Sequence, residues 1–177
     1  MAEEATQTQE QKKLVVTSNE ANKLLKTYNE ELARLRTVES LSKDFVVSTE
    51  EDIESVRPVY DFKATQNAIV NICSTIVAIK HRINEFNVNT VLPCGLTIDQ
   101  ALVYLPILSR EQDKLAKMKN RLPKQRVSSW QSNKGVEYNV ANYDINTVLQ
   151  SYYQVSNELE KIQKELDVVN NTVTFEI

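Results

Sequence analysis

A mainly α-helical chain of long, heptad-patterned helices is what this sequence predicts, and three observations carry the prediction. Apolar residues recur at alternating spacings of three and four along much of the chain, the period at which one stripe of a helix faces a partner helix. Only two glycines occur in 177 residues, too few for the tight turns and bulges of a β-rich protein. Proline, asparagine and charge clusters separate the patterned segments, where helices stop. The expected product is an antiparallel four-helix bundle or paired helical hairpins, with a short β-hairpin between the third and fourth helices.

Residues 1–17 read as a flexible N-terminal segment, polar to Lys13, and residues 18–177 as a single helical domain. Ser18 is the expected N-cap of a first helix running to about Asp44, whose Ala21, Leu25, Tyr28, Leu32 and Leu35 form a heptad seam. Glu50, Glu51, Asp52, Glu54 and then Pro58 break the pattern in a structured connection, because proline drives the residue before it out of helix. The second helix spans about Phe62 to Phe86, with Ile69, Ile72, Ile76, Ile79, Ile83 and Phe86 in strict register.

A loop from Asn87 to Leu96 contains Pro93-Cys94-Gly95, and Thr97 with Gln100 makes a capping box that opens the third helix. That helix should reach about Leu122, with Pro106 kinking it. Val127, Trp130, Val136, Tyr138 and Val140 flank Ser132-Asn133-Lys134-Gly135, the pattern of a hairpin turn. Asp144 caps the fourth helix, whose Ile145, Val148, Tyr152, Val155, Leu159, Ile162, Leu166 and Val169 keep the heptad spacing. Alternation of Val173, Phe175 and Ile177 suits a terminal edge strand.

Composition narrows the function classes. The net charge of -3 shows no global bias towards nucleic acid or an anionic membrane. The N-terminus lacks the basic start and apolar core of a signal peptide, and no apolar run is long enough to span a bilayer, so the expected location is the cytoplasm. Cys73 and Cys94, one in an apolar helical run and one in a turn, form neither a disulfide framework nor a metal spacing. His81 is the only histidine, and with Glu85 it gives two possible ligands, short of a zinc site. No phosphate loop or dinucleotide glycine pattern occurs. No cofactor is implied, and no enzyme is expected. Asn84 and Asn87 read as helix-terminating residues.

Two features suggest binding. Apolar residues cover more than one stripe of the second helix, and the remaining stripe is mostly small and uncharged, where an open helix face carries Lys and Glu. The candidate self-association surface is therefore Asn67, Ile69, Val70, Asn71, Cys73, Ser74 and Val77. Residues 110–134 hold eight Lys or Arg against two acids. That charged tip comprises Lys114, Lys117, Lys119, Arg121, Lys124 and Arg126 with the aromatic Trp130. In an up-down-up-down bundle it would lie beside the acidic connection at 44–54, so neutralisation within or between subunits competes with nucleic-acid binding through phosphate contacts and stacking.

Arg82-Ile83-Asn84 with Asn87, then Gly95-Leu96-Thr97 followed by Ala101-Leu102, resembles the middle of the septicolysin-like family of small bacterial helical proteins. The resemblance runs from about residue 18 and ends on Asn170 with Thr172 or Thr174. Asn171 stands where the family has a Trp, and Pro106 falls within the third helix. The family name implies a membrane-active cytolysin, and the family has no established activity or site residues to transfer. The expected function is a self-associating helical scaffold or protein-interaction protein, with a second copy or an unidentified protein as partner. A nucleic-acid module using residues 110–134 is the alternative, and a cytolysin-like protein the second.

Overall fold

The computed structural model describes residues 14–127 and 135–177. It is mainly helical, and the chain divides into two compact units: residues up to Phe86 together with Asn170–Ile177, and Asn87–Val169. The order of elements is β1 (Val15–Thr17), α1 (Ser18–Ser42), α2 (Ile53–Val56), α3 (Phe62–Asn89), α4 (Ile98–Lys119), β2 (Lys124–Arg126), β3 (Tyr138–Val140), α5 (Ile145–Thr172) and β4 (Thr174–Glu176). The long helices α3 and α5 each run a few residues past the division between units.

In the first unit α1 and α3 lie antiparallel. Val16 and Ala21 near the start of α1 share a buried cluster with Ile79 and Ile83 near the end of α3, and Leu24, Leu25, Tyr28, Phe175 and Ile177 pack against it. At the other end of the pair Glu39 accepts hydrogen bonds from Tyr60 and Gln66. Thr17, rather than the expected Ser18, caps α1. Its hydroxyl accepts from the Glu20 N–H while the Glu20 carboxylate accepts from the Thr17 N–H, a reciprocal capping box. Ser18 is the first helical residue and is buried.

The terminal strand expected from Val173, Phe175 and Ile177 forms as β4 and pairs antiparallel with β1, Val16 opposite Phe175. Leu14 and Ile177 extend the ladder with two backbone hydrogen bonds of 3.2 and 2.9 Å. Residues 15–17 fall within the segment that the sequence marks as flexible. They are ordered because the β-branched run Val15-Val16-Thr17 finds a partner more than 150 positions away in β4. The connection between α1 and α3 contains the short helix α2, where the sequence indicated only a structured link. Asp61 begins α3, its Oδ1 accepting from the Ala64 N–H at 2.9 Å. Asn84 and Asn87 do not terminate this helix, which continues to Asn89. Its Ile76, Ile79, Ile83 and Phe86 are buried, so the apolar register outweighs the weak helix preference of asparagine.

The second unit opens with the Leu92–Gly95 turn. The Gly95 N–H donates to the Leu92 carbonyl at 2.8 Å, and Gly95 has φ +89°, which explains glycine there. Leu92 and Ile98 on either side of it are fully buried. Glu165 Oε2 accepts from the Cys94 N–H at 2.7 Å and ties this turn to α5. The expected Thr97–Gln100 capping box is present and opens α4.

Helices α4 and α5 lie antiparallel, joined by hydrogen bonds from Tyr104 to Glu158 and from Gln112 to Ser156. Ala101, Leu108 and Leu115 are buried on α4 at heptad spacing, with Pro106 accommodated inside the helix. Asp144 caps α5 through the N–H groups of Asn146 and Thr147. Strands β2 and β3 form the expected ribbon, Lys124 opposite Val140 and Arg126 opposite Tyr138. The turn expected at 132–135 lies outside the described residues except for Gly135, whose φ is +104°.

Candidate functional site

A helix in a two-helix hairpin covers one stripe and leaves the rest to solvent, so the composition of the uncovered side is informative. On α1 that side is charged: Lys23, Lys26, Glu30 and Arg34 are exposed, with Lys26–Glu30 and Glu31–Arg34 ion pairs along it. On α3 no Asp, Glu, Lys or Arg occurs between Ala64 and Ile79. Sixteen residues without a charge span about 24 Å of helix at the usual 1.5 Å rise.

The uncharged side of α3 is a shallow groove lined by Ile69, Val70, Cys73, Ser74, Val77, Ala78 and His81. Val70 and Val77 keep 59% and 67% of their surface exposed, although both are β-branched residues in the middle of a helix. Ile69 and Cys73 are half-buried at its edge, while Ser74 is open. All seven expected self-association residues thus lie on α3, and Ile69, Val70, Cys73, Ser74 and Val77 line one groove. Asn67 and Asn71 are exposed beyond it. Cys73 is a free thiol. Ala78 and His81 line the groove as well, and the helical period from Ser74 and Val77 already puts His81 on the uncharged stripe in the sequence.

His81 Nε2 stands 3.3 Å from Glu85 Oε1, and Arg82 donates to the other carboxylate oxygen at 2.8 Å. Glu85 is therefore held by its own helix. Among the described residues no group of three His, Cys, Asp or Glu comes together as a metal site. None of the described helices is long and apolar enough to cross a membrane.

The basic tip belongs to the second unit, and the acidic connection to the first. Three of its cations have local partners. Lys114 pairs with Glu111 one helical turn away. Lys119 Nζ lies 3.6 Å from the centre of the Tyr152 ring, and Lys124 Nζ lies 4.2 Å from that of Tyr138. Lys117, in the last turn of α4, and Arg121, just past its end, are exposed. Every residue of β2 and β3 is exposed. Residues opposite one another in a ladder share a face, so Lys124, Arg126, Tyr138 and Val140 form one side of the ribbon. Trp130 lies outside the described residues.

No protein-family model matches the chain, and no curated protein matches it. Among solved structures it is similar to a protein of Corynebacterium diphtheriae described as a functionally unknown conserved protein. The two share 16% sequence identity with a TM-score of 0.58, over 92% of this chain and 99% of the other. At that identity the likeness establishes the fold alone.

Proposed function

We propose that this protein is a self-associating helical scaffold that works through interaction surfaces, with no catalytic chemistry of its own. The observation that carries the reading is the uncharged face of α3, open over Val70 and Val77, beside a helix α1 whose open face is charged in the ordinary way. Burying one such valine completely is worth about 1.5–3 kcal/mol, so a few per subunit offset much of the entropy lost on association. The test is sedimentation of the wild-type chain across a concentration series. A mass above that of one chain at micromolar concentration supports the scaffold, and a monomer throughout removes it.

The ribbon face supports a second reading, in which the tip binds a nucleic-acid strand. Arg126 would meet a phosphate, and Lys124, moving off the Tyr138 ring to a second phosphate, would leave that ring as a stacking surface. Binding of that kind weakens steeply with salt. Tight, salt-sensitive RNA binding that is lost on neutralising the tip, with assembly intact, would promote this reading over the first. The membrane activity implied by the septicolysin-like resemblance would appear as dye release from liposomes, and the scaffold proposal requires none.

A further inference from the structure

We infer that the occupant of the α3 groove is α3 of a second copy, running antiparallel, with the twofold axis crossing the helix near Cys73 and Ser74. The inference rests on the self-association proposed above. Asn67, Val70, Ser74, Val77 and His81 follow one another at spacings of three, four, three and four, which is a second heptad seam on the side away from the buried Ile76, Ile79 and Ile83. Such a seam needs a facing helix to supply holes for its knobs.

Self-complementarity identifies that helix. About an axis at residues 73 and 74, position 70 of one chain faces position 77 of the other, so an antiparallel copy sets Val70 against Val77 on both sides of a small central Ser74. A parallel copy in register instead puts Lys63 on Lys63 and His81 on His81 at the two ends of the seam. Reversing the copy removes both like pairs and brings the last turn of the seam, with Glu85, to the partner's first turn, with Lys63. Antiparallel helix dipoles also attract, and an isologous twofold contact closes without generating a filament.

The position of Cys73 makes the orientation readable. It flanks the seam and lies next to the inferred axis, so the two copies of Cys73 meet on the same side of the interface, within disulfide reach. Asn67 lies about six residues from that axis, which separates the two copies of position 67 by roughly 20 Å in an antiparallel pair. In a parallel pair they touch.

The experiment uses two full-length variants. One is Cys94→Ser, in which Cys73 is the only thiol; the other is Asn67→Cys with Cys73→Ser and Cys94→Ser, leaving a thiol only at position 67. Each is checked for wild-type helicity and mass, then mildly oxidised. The expected result is near-complete conversion of the first to a disulfide-linked dimer and none of the second. Conversion of the second, or failure of both in a chain that is dimeric by mass, overturns the antiparallel arrangement while leaving self-association standing. Monomeric mass in the wild type overturns both.

Discussion

Phe175 stacks on Phe86, with ring centroids 4.5 Å apart and planes 19° from parallel. This contact fastens the C-terminal strand β4 to the helix α3, and the β1–β4 ladder fastens the same strand to the start of α1. One short strand thus holds the open end of the α1–α3 hairpin. Replacing Phe175 with Ala should cost about 2 kcal/mol, below the 3–5 typical of a fully buried Phe because this one is half-buried. Urea unfolding measures it, and a loss under about 0.5 kcal/mol would mean that β4 is not a clasp.

Two of the helix caps, at the starts of α1 and α5, make stability pH-dependent. Hydrogen bonds from the Thr17 N–H and hydroxyl hold the Glu20 carboxyl below its ordinary range, and those from the Thr147 hydroxyl and Asn146 N–H do the same for Asp144. A carboxylate with a lowered folded-state pKa adds stability that is whole above its unfolded pKa and is lost as pH falls through the folded one. Acidification below about pH 4 should therefore lower the melting temperature of the wild type more than that of a Glu20→Gln, Asp144→Asn variant. Equal losses would exclude the caps as the cause.

The turn at Pro93-Cys94-Gly95 depends on Glu165. Its carboxylate accepts from the Cys94 N–H, and a hydrogen bond to a charged group contributes about 1.5–3 kcal/mol. Glu165→Ala should destabilise the chain by an amount in that range and speed amide exchange at Cys94 above all. Unchanged exchange there would show that the turn holds itself.

Lys114, Lys119 and Lys124 of the tip are engaged locally, and this sets what their removal does. Neutralising Lys114, Lys117, Lys119 and Lys124 together should lower stability by about 1–2 kcal/mol, because the contacts to Tyr152 and Tyr138 are worth about 0.5–1 kcal/mol each. The companion expectation is that assembly or stability changes more than any RNA affinity. Salt-dependent binding curves beside melting curves decide it.

The long helices were legible because their core positions are large and regularly spaced: Ile76, Ile79, Ile83 and Phe86 on α3, and Val148, Ile162, Leu166 and Val169 on α5, are buried as the register requires. Thr97 with Gln100 announced the start of α4 in the same way. Thr17 with Glu20 carries the same signal, but it sits against three strand residues whose partner is at the other end of the chain, and a long-range pairing leaves no local period. Asn84 and Asn87 misled for the opposite reason. Their local preference pointed to a helix end, and buried neighbours in the same turns overrode it. The interface candidate was readable as a missing class of residue, since the absence of charge from Ala64 to Ile79 is visible in the sequence. Which apolar stripe packs inside the chain is a matter of topology, and only the fold separates Ile76 and Ile79 from Val70 and Val77.

In the proposed assembly the uncharged face of α3 is covered by another subunit. Asn71→Glu with Ser74→Lys puts two charges on that face at exposed positions, away from the buried Ile76, Ile79 and Ile83. Light scattering on the wild type and this variant, with helicity measured alongside, is the most direct test. The expected result is an oligomeric wild type at micromolar concentration and a variant that keeps its helicity and falls to the mass of one chain. A monomeric wild type, or a folded variant with the wild-type mass, would contradict it.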